Sequence, residues 1–293
     1  MGQSQNRTAV FSAARGSVFG LIPVLFVLAV PFASAQTAAG SLSPVEAQAL
    51  VDRSLANELR AAQDSGQPMR YTLHKISPRL TSTKQIVETK DGEVARLTEV
   101  FDKPLSAAAE QQEETRLDTL AGNPGLQHHR KQSEDADTAR AMKVLRALPN
   151  AFVYQYAGPA DAHSGAIEKF TFKPNPNFSA ADLETQALTA MSGEILIDAA
   201  HARVTRLEGH LDQDVDFGWG ILGRLNKGGW IRIDQADVGG GRWRIVHLRM
   251  AMSGRVVFKT RVFDTTEDES GFTPVPLGMR YQQAVEMLRG ESK

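Results

Sequence analysis

The chain has 293 residues, with 33 basic against 34 acidic side chains and no cysteine. So even a balance excludes counterion-driven binding to nucleic acid, which needs a basic surplus, and broad electrostatic attachment to anionic membranes. The missing cysteine excludes disulfides, thiolate chemistry, Cys-ligated zinc and a lipoprotein anchor, so stability has to come from an ordinary apolar core.

The N-terminus sets the expected compartment. Arg7 and Arg15 are the only charges before Glu46, an apolar run extends from Val18 to Phe32, and Ala33-Ser34-Ala35 follows. A basic start, an apolar middle and a small-residue site are the three parts of a secretory signal. The run contains Pro23 and Pro31 and falls short of the ~20 apolar residues that span a bilayer. The sequence therefore predicts a signal peptide at 1–35, cleaved near Ala35, and a mature protein that is periplasmic or secreted and does not span the membrane. Cleavage removes two arginines and no acid, making the mature chain two charges more negative than the −1 of the whole.

Residues 36–42 are small and polar and read as a flexible linker, and residues 43–293 as a single β-rich domain. Ser43-Pro44-Val45-Glu46 combines an N-cap, a proline at the first helical position and a capping-box acid. Val51, Leu55 and Leu59 follow at helical spacing, predicting a helix from about Pro44 to Gln63. From Met69 the period becomes two. Residues 86–89 and 94–101, around Asp91-Gly92, read as a hairpin. Residues 106–148 are rich in Ala, Gln, Glu, Asp and Arg and read as a helical insertion: one helix about Ala107–Leu120, a second about Asp135–Leu148, with a polar connection between them. The remainder is mainly strand: 152–157, 167–172, 187–198, 202–217, 229–238, 242–252 and 256–266, with a short helix after Ser179 and a terminal helix carrying Tyr281, Val285 and Leu288 on one side. Consecutive strands with short links predict an antiparallel meander of nine or ten strands, which twists and curls.

Residues 202–217 put Glu208, His210, Asp212, Asp214 and Asp216 on one side and Leu207, Leu211, Val215 and Phe217 on the other, the pattern of a half-buried strand. Around Trp243 and in 256–263 both sides are apolar, so both need cover. If helices cover only part of a curved sheet, an apolar groove remains that can hold a lipid. The expected groove residues are Leu207, Leu211, Phe217, Trp219, Trp230, Trp243 and Phe258.

Chemical motifs are weak. Gly218-Trp219-Gly220-Ile221-Leu222-Gly223 matches a dinucleotide-type glycine string, but it sits between antiparallel strands where that site needs a strand followed by a helix. Asp212-Gln213-Asp214-Val215-Asp216 opens like a calcium loop but has Phe217 and Gly223 where the loop needs glycine and glutamate. His128 and His129 are adjacent, and His201, His210 and His247 show no zinc spacing. No nucleophile elbow occurs in the mature chain. Glu194 with Asp198, and Glu208 with Asp212, are the carboxylate pairs on offer, each with arginines nearby. The sequence predicts no catalytic residue, no metal and no cofactor, hence a protein that is not an enzyme.

Three segments carry a resemblance: Phe172-Lys173-Pro174-Asn175-Pro176, Met191-Ser192-Gly193-Glu194-Ile195-Leu196-Ile197-Asp198, and Arg203-Val204-Thr205-Arg206-Leu207-Glu208-Gly209. Over about 152–266 the chain resembles the outer-membrane lipoprotein-sorting (LolA/LolB-like) superfamily and its exported bacterial relatives. The resemblance implies an α+β fold with a large curved antiparallel sheet, an incomplete barrel wrapped around or covered by helices, and a carrier's role toward a lipid or lipoprotein acyl chain. The helical insertion departs from compact carriers of that kind. The competing expectation is a cell-envelope scaffold, with envelope proteins as partners and no small-molecule ligand.

Overall fold

A computed structural model describes residues 41–64, 66–160, 166–217, 223–256 and 259–290. The expected signal peptide and most of the linker, the glycine string except Gly223, and the groove residues Trp219 and Phe258 lie outside these. The described residues belong to one compact unit, Ala38–Lys293.

Helix α1 (Pro44–Gln63) begins as its sequence dictates: the Ser43 side chain caps it and Glu46 completes the capping box. Strands β1 (Met69–Ile76), β2 (Thr81–Val87), β3 (Val94–Val100) and β4 (Lys103–Pro104) follow, then α2 (Ala107–Gly122) and α3 (Pro124–Ala151). The second half contains β5 (Phe152–Pro159), β6 (Ile167–Pro174), the short α4 (Leu183–Gln186), β7 (Met191–Asp198), β8 (Arg203–Leu211), β9 (Val215–Phe217), β10 (Gly223–Leu225), β11 (Trp230–Asp237), β12 (Trp243–Val256), β13 (Lys259–Pro274) and α5 (Tyr281–Gly290).

All thirteen strands join one antiparallel sheet in the order β4-β3-β2-β1-β13-β12-β11-β8-β7-β6-β5, with β10 paired to β12 and β9. Its ends do not meet, so the fold is α+β with an open sheet and not a closed barrel. The N-terminal hairpins reach the rest only through β1 and β13, which pair from Met69↔Pro274 to Ile76↔Thr266.

Directly opposed residues share a face, so register assigns the faces across the sheet. Leu207 opposes Ile233, Ile233 opposes Leu248, and Leu248 opposes Glu267. Glu269, two residues on, opposes Leu73, and Leu73 opposes Lys84. This is the inner face, the one on which α1 lies. Ala47, Leu50, Val51 and Leu55 of α1 pack there against Phe170, Phe172, Ile195, Ile197, Val204 and Leu211 in the larger core. Val87 and Val94 point the other way. On that outer face α5 contributes Tyr281, Ala284, Val285 and Leu288, and α2 adds Leu117 and Leu120, to a second core.

The sheet has thirteen strands where nine or ten were expected, Ala187–Ala190 is a 3-10 turn where strand was expected, and three larger elements also differ from the sequence reading. The connection expected between two insertion helices is helical, so α3 is one continuous helix of 28 residues. It starts with Pro124 in its first turn, capped by the Asn123 side chain. The strand expected over 202–217 breaks at 212–214, where Asp214 accepts hydrogen bonds from the Lys227 amide (2.8 Å) and Arg224 Nη1 (3.2 Å). Finally, β13 continues past the expected end at 266 to Pro274, where its acids find partners: Lys75 Nζ with Glu267 (2.6 Å) and His247 Nδ1 with Asp268 (2.6 Å).

Candidate functional site

The site is built on the inner face of the central strands. Ile231, Ile233, Leu248, Met250 and Met252 line up there with Leu207, since Ile231 opposes Met250 and Met252 opposes Phe263. The first six are half-buried, and Phe263 is 45% exposed. Leu207, Ile231 and Met252 border the larger core, while Ile233, Leu248 and Met250 belong to neither core. The substantial helix–strand packing involves β2, β3, β5, β8 and β9, and does not extend to β11, β12 or β13. A half-buried stripe of branched and flexible apolar side chains thus runs along the middle of the sheet, and among the described residues no helix packs closely on it.

Helix α3 bounds this region. At its start Gln127 Nε2 donates to the Asp91 carbonyl (2.9 Å), and Glu134 accepts the Glu93 amide proton (3.1 Å). At its end Leu148 and Ala151 are buried in the core beneath α1. Between these anchorages, residues 135–141 are exposed on every side of the helix. A helix resting on a sheet would bury one residue in three or four along that stretch. Here two turns are held by their ends alone.

One end of the stripe is acidic. Tyr71 is buried and its hydroxyl donates to Glu93 (3.2 Å), while Arg244 bonds Glu88 (3.2 Å). Burial, followed by the charges of Glu93, Glu267 and Glu88, pushes the Glu269 carboxyl up to about 7. Burial also raises Glu93 and Glu134, and the Tyr71 phenol above its ordinary range. These acids therefore hold protons more readily than surface carboxylates, as the low polarity of their surroundings requires. The other end is closed by a buried ion pair: Glu58 of α1 accepts from Arg203 Nε (2.8 Å), Arg203 Nη2 (2.9 Å) and the Val204 amide (2.9 Å).

The residues expected from sequence fall into distinct places. Leu207 edges the stripe. Leu211 shares the inner face but is fully buried in the larger core, and Phe217 is half-buried against that core, so neither lines the stripe. Trp230 opposes His210 and lies on the outer face, with the Arg249 guanidinium 5.4 Å from its ring centre. Trp243 packs between Arg203 (5.4 Å) and the His201 ring (5.8 Å) beside a polar cleft of about 310 Å³ that Asn57 and Arg60 also line. Sequence reasoning missed Ile233, Leu248 and Met250. Their alternation was visible, but not which part of the sheet the helices would cover.

The candidate chemical groups are engaged separately. Glu194 pairs with Lys169 (2.6 Å), His210 with Asp212 (3.0 Å) and His201 with Asp198 (3.1 Å). Asp214 and Asp216 clasp Arg224 and so tie β9 to β10. Among the described residues no three His, Asp or Glu side chains come together as a metal site would require. A second cleft, of about 440 Å³, lies between the β2–β3 turn and the starts of α3 and α5, with Lys90, His128, Lys131 and Arg280 around it.

The fold and site together define an open antiparallel sheet with a half-buried apolar strip on its inner face, beside the larger helix-covered core. No family model, curated protein or solved structure matches the chain. Among the described residues, no helix is long and apolar enough to cross a membrane.

Proposed function

We propose that this chain is an exported, non-enzymatic carrier or binding protein for an apolar ligand, a lipid or lipoprotein acyl chain, held against the inner face of its sheet. One observation carries the reading: Ile231, Ile233, Leu248, Met250 and Met252 share a half-buried strip that no described helix packs closely, and the long helix at its border is exposed all round in its middle. An acyl chain laid there gains about 0.8 kcal/mol per buried CH₂ and needs no charged anchor. Burial shifts Glu269, Glu93 and Glu134 at the Tyr71 end toward the neutral form, which costs far less to desolvate beside an apolar occupant than a carboxylate does. The leader-like residues 1–35 support work in the periplasm or beyond the cell.

The test is organic extraction of the purified protein followed by mass spectrometry, with titration of a fluorescent fatty acid as the second arm. Co-purifying lipid, and probe binding lost in Ile233→Asp and Met250→Asp, support the carrier. A lipid-free protein that also ignores the probe leaves the envelope scaffold in its place.

A further inference from the structure

The sheet treats its edges unequally. A free edge offers unpaired N–H and C=O groups to any extended chain, and proteins ordinarily cover or disrupt it. Along β3, the Leu97 amide donates to Glu113 Oε1 (2.8 Å) and the Ala95 carbonyl accepts from Arg116 Nη2, so α2 seals that edge with its side chains. Strand β5, at the far end, is bulged between Tyr156 and Gly158 and stops at Pro159. The first half of β13 has neither device. Pairing with β1 begins only at Thr266, so among the described residues 259–265 pair with β12 alone. Val262 is 65% exposed, Phe263 is 45% exposed, and Lys259, Thr260 and Arg261 are exposed.

We infer that this free edge, Lys259–Thr265, docks an acidic, extended segment of a partner protein as one more strand of the sheet. Charge selects the occupant. Arg255, Lys259 and Arg261 are all exposed around the edge, and the single acid of the segment, Asp264, is taken by Arg249. Two-fold pairing of two copies about Val262 would crowd three cations from each copy along one short seam with no free carboxylate to offset them. A partner strand with acids facing Lys259 and Arg261, and branched apolar residues facing Val262, matches the alternation of the edge. The inference does not depend on the lipid reading.

The probe is a fluorescein-labelled eight-residue peptide of alternating Glu and Val, titrated by anisotropy against the whole chain. Controls are the same peptide with Lys for Glu and a backbone N-methylated version that cannot extend the ladder. Binding of the Glu peptide at least tenfold tighter than the Lys peptide is expected, with loss on N-methylation and slowed amide exchange confined to 259–265. Lys259→Glu with Arg261→Glu, both exposed and harmless to folding by circular dichroism, should invert the preference. Equal binding of the N-methylated or Lys peptide, or none at all, overturns the inference. So does a dimer in sedimentation that Val262→Lys dissolves, which would make a second copy the occupant. Binding to phosphatidylglycerol vesicles that the double variant abolishes, without binding of the Glu peptide, would hand the edge to a membrane.

Discussion

Replacing Glu58 by alanine should unfold this protein more readily than loss of any surface acid. Glu58 is 8% exposed and receives four hydrogen bonds, two from Arg203, one from the Val204 amide and one from Gln235 Nε2 (3.3 Å). Its loss leaves a guanidinium, an amide and a side-chain amide without that acceptor at a largely buried position. Breaking a buried pair from one side costs about 3–5 kcal/mol. The exposed Lys131–Asp135 pair on α3 is worth only ~0.3–0.5 kcal/mol. With a urea dependence of ~3 kcal/mol per molar for a chain of this size, Glu58→Ala should lower the unfolding midpoint by about 1–1.5 M. Urea titration followed by tryptophan fluorescence measures this. Glu58→Gln should fall between, since its carbonyl can still accept from Val204, and Glu58→Ala combined with Arg203→Ala should recover part of the loss. A Glu58→Ala midpoint no lower than that of Asp135→Ala would refute the assignment of a closed, energetically coupled pair.

Three further outcomes are expected. Ile233→Asp or Met250→Asp should abolish fatty-acid binding while costing less stability than Ile195→Ala, which opens a hole in the closed core at about 2–5 kcal/mol; paired probe titrations and urea curves separate the two effects. Because the folded Glu269 carboxyl titrates near 7 against 4.5 when unfolded, the folded state holds its proton longer, so stability should decline as pH rises from 4.5 to 7 and level off above. Glu93 and Glu134 act in the same direction, and Glu269→Gln should flatten the decline and raise the urea midpoint at pH 8. Gly193→Ala should destabilise by about 1–3 kcal/mol or more, because a Cβ there runs into the Glu208 carbonyl oxygen and lies 2.8 Å from Gly209 Cα; an unchanged melting temperature would show that β7 and β8 can separate freely.

Local signals carried much of the fold. The Ser43–Glu46 box and the Tyr281, Val285, Leu288 spacing defined the first and last helices, because caps and apolar faces are written within a few neighbouring residues. The antiparallel order was legible from short links between alternating segments. The continuity of α3 was not, because a helix spanning open space has no apolar face to display. Its middle is sustained by i,i+4 partners such as Lys131–Asp135 and His128–Gln132. The part of β13 beyond 266 was hidden for a related reason: its run of acids shows no apolar alternation, and its partners Lys75 and His247 are brought across from other strands. Alternation put Leu207 and Leu211 on one face but could not say that Leu211 would be sealed and Ile233 only half-buried, since that depends on which strands α1 lies across.

The tethering of α3 at both ends has a mechanical consequence. An α-helix is a stiff rod, and 28 residues at 1.5 Å each make a strut about 42 Å long. Its two clamps belong to opposite halves of the sheet, which are joined besides by the β1–β13 pairing and by Arg244, bonded to Glu88 and to the Gln67 carbonyl. The strut thereby fixes how far apart those halves can stand. One residue added within 135–141 would lengthen it by about 1.5 Å and turn one clamp about 100° relative to the other, whereas a full turn of added residues would restore the phase and simply widen the span.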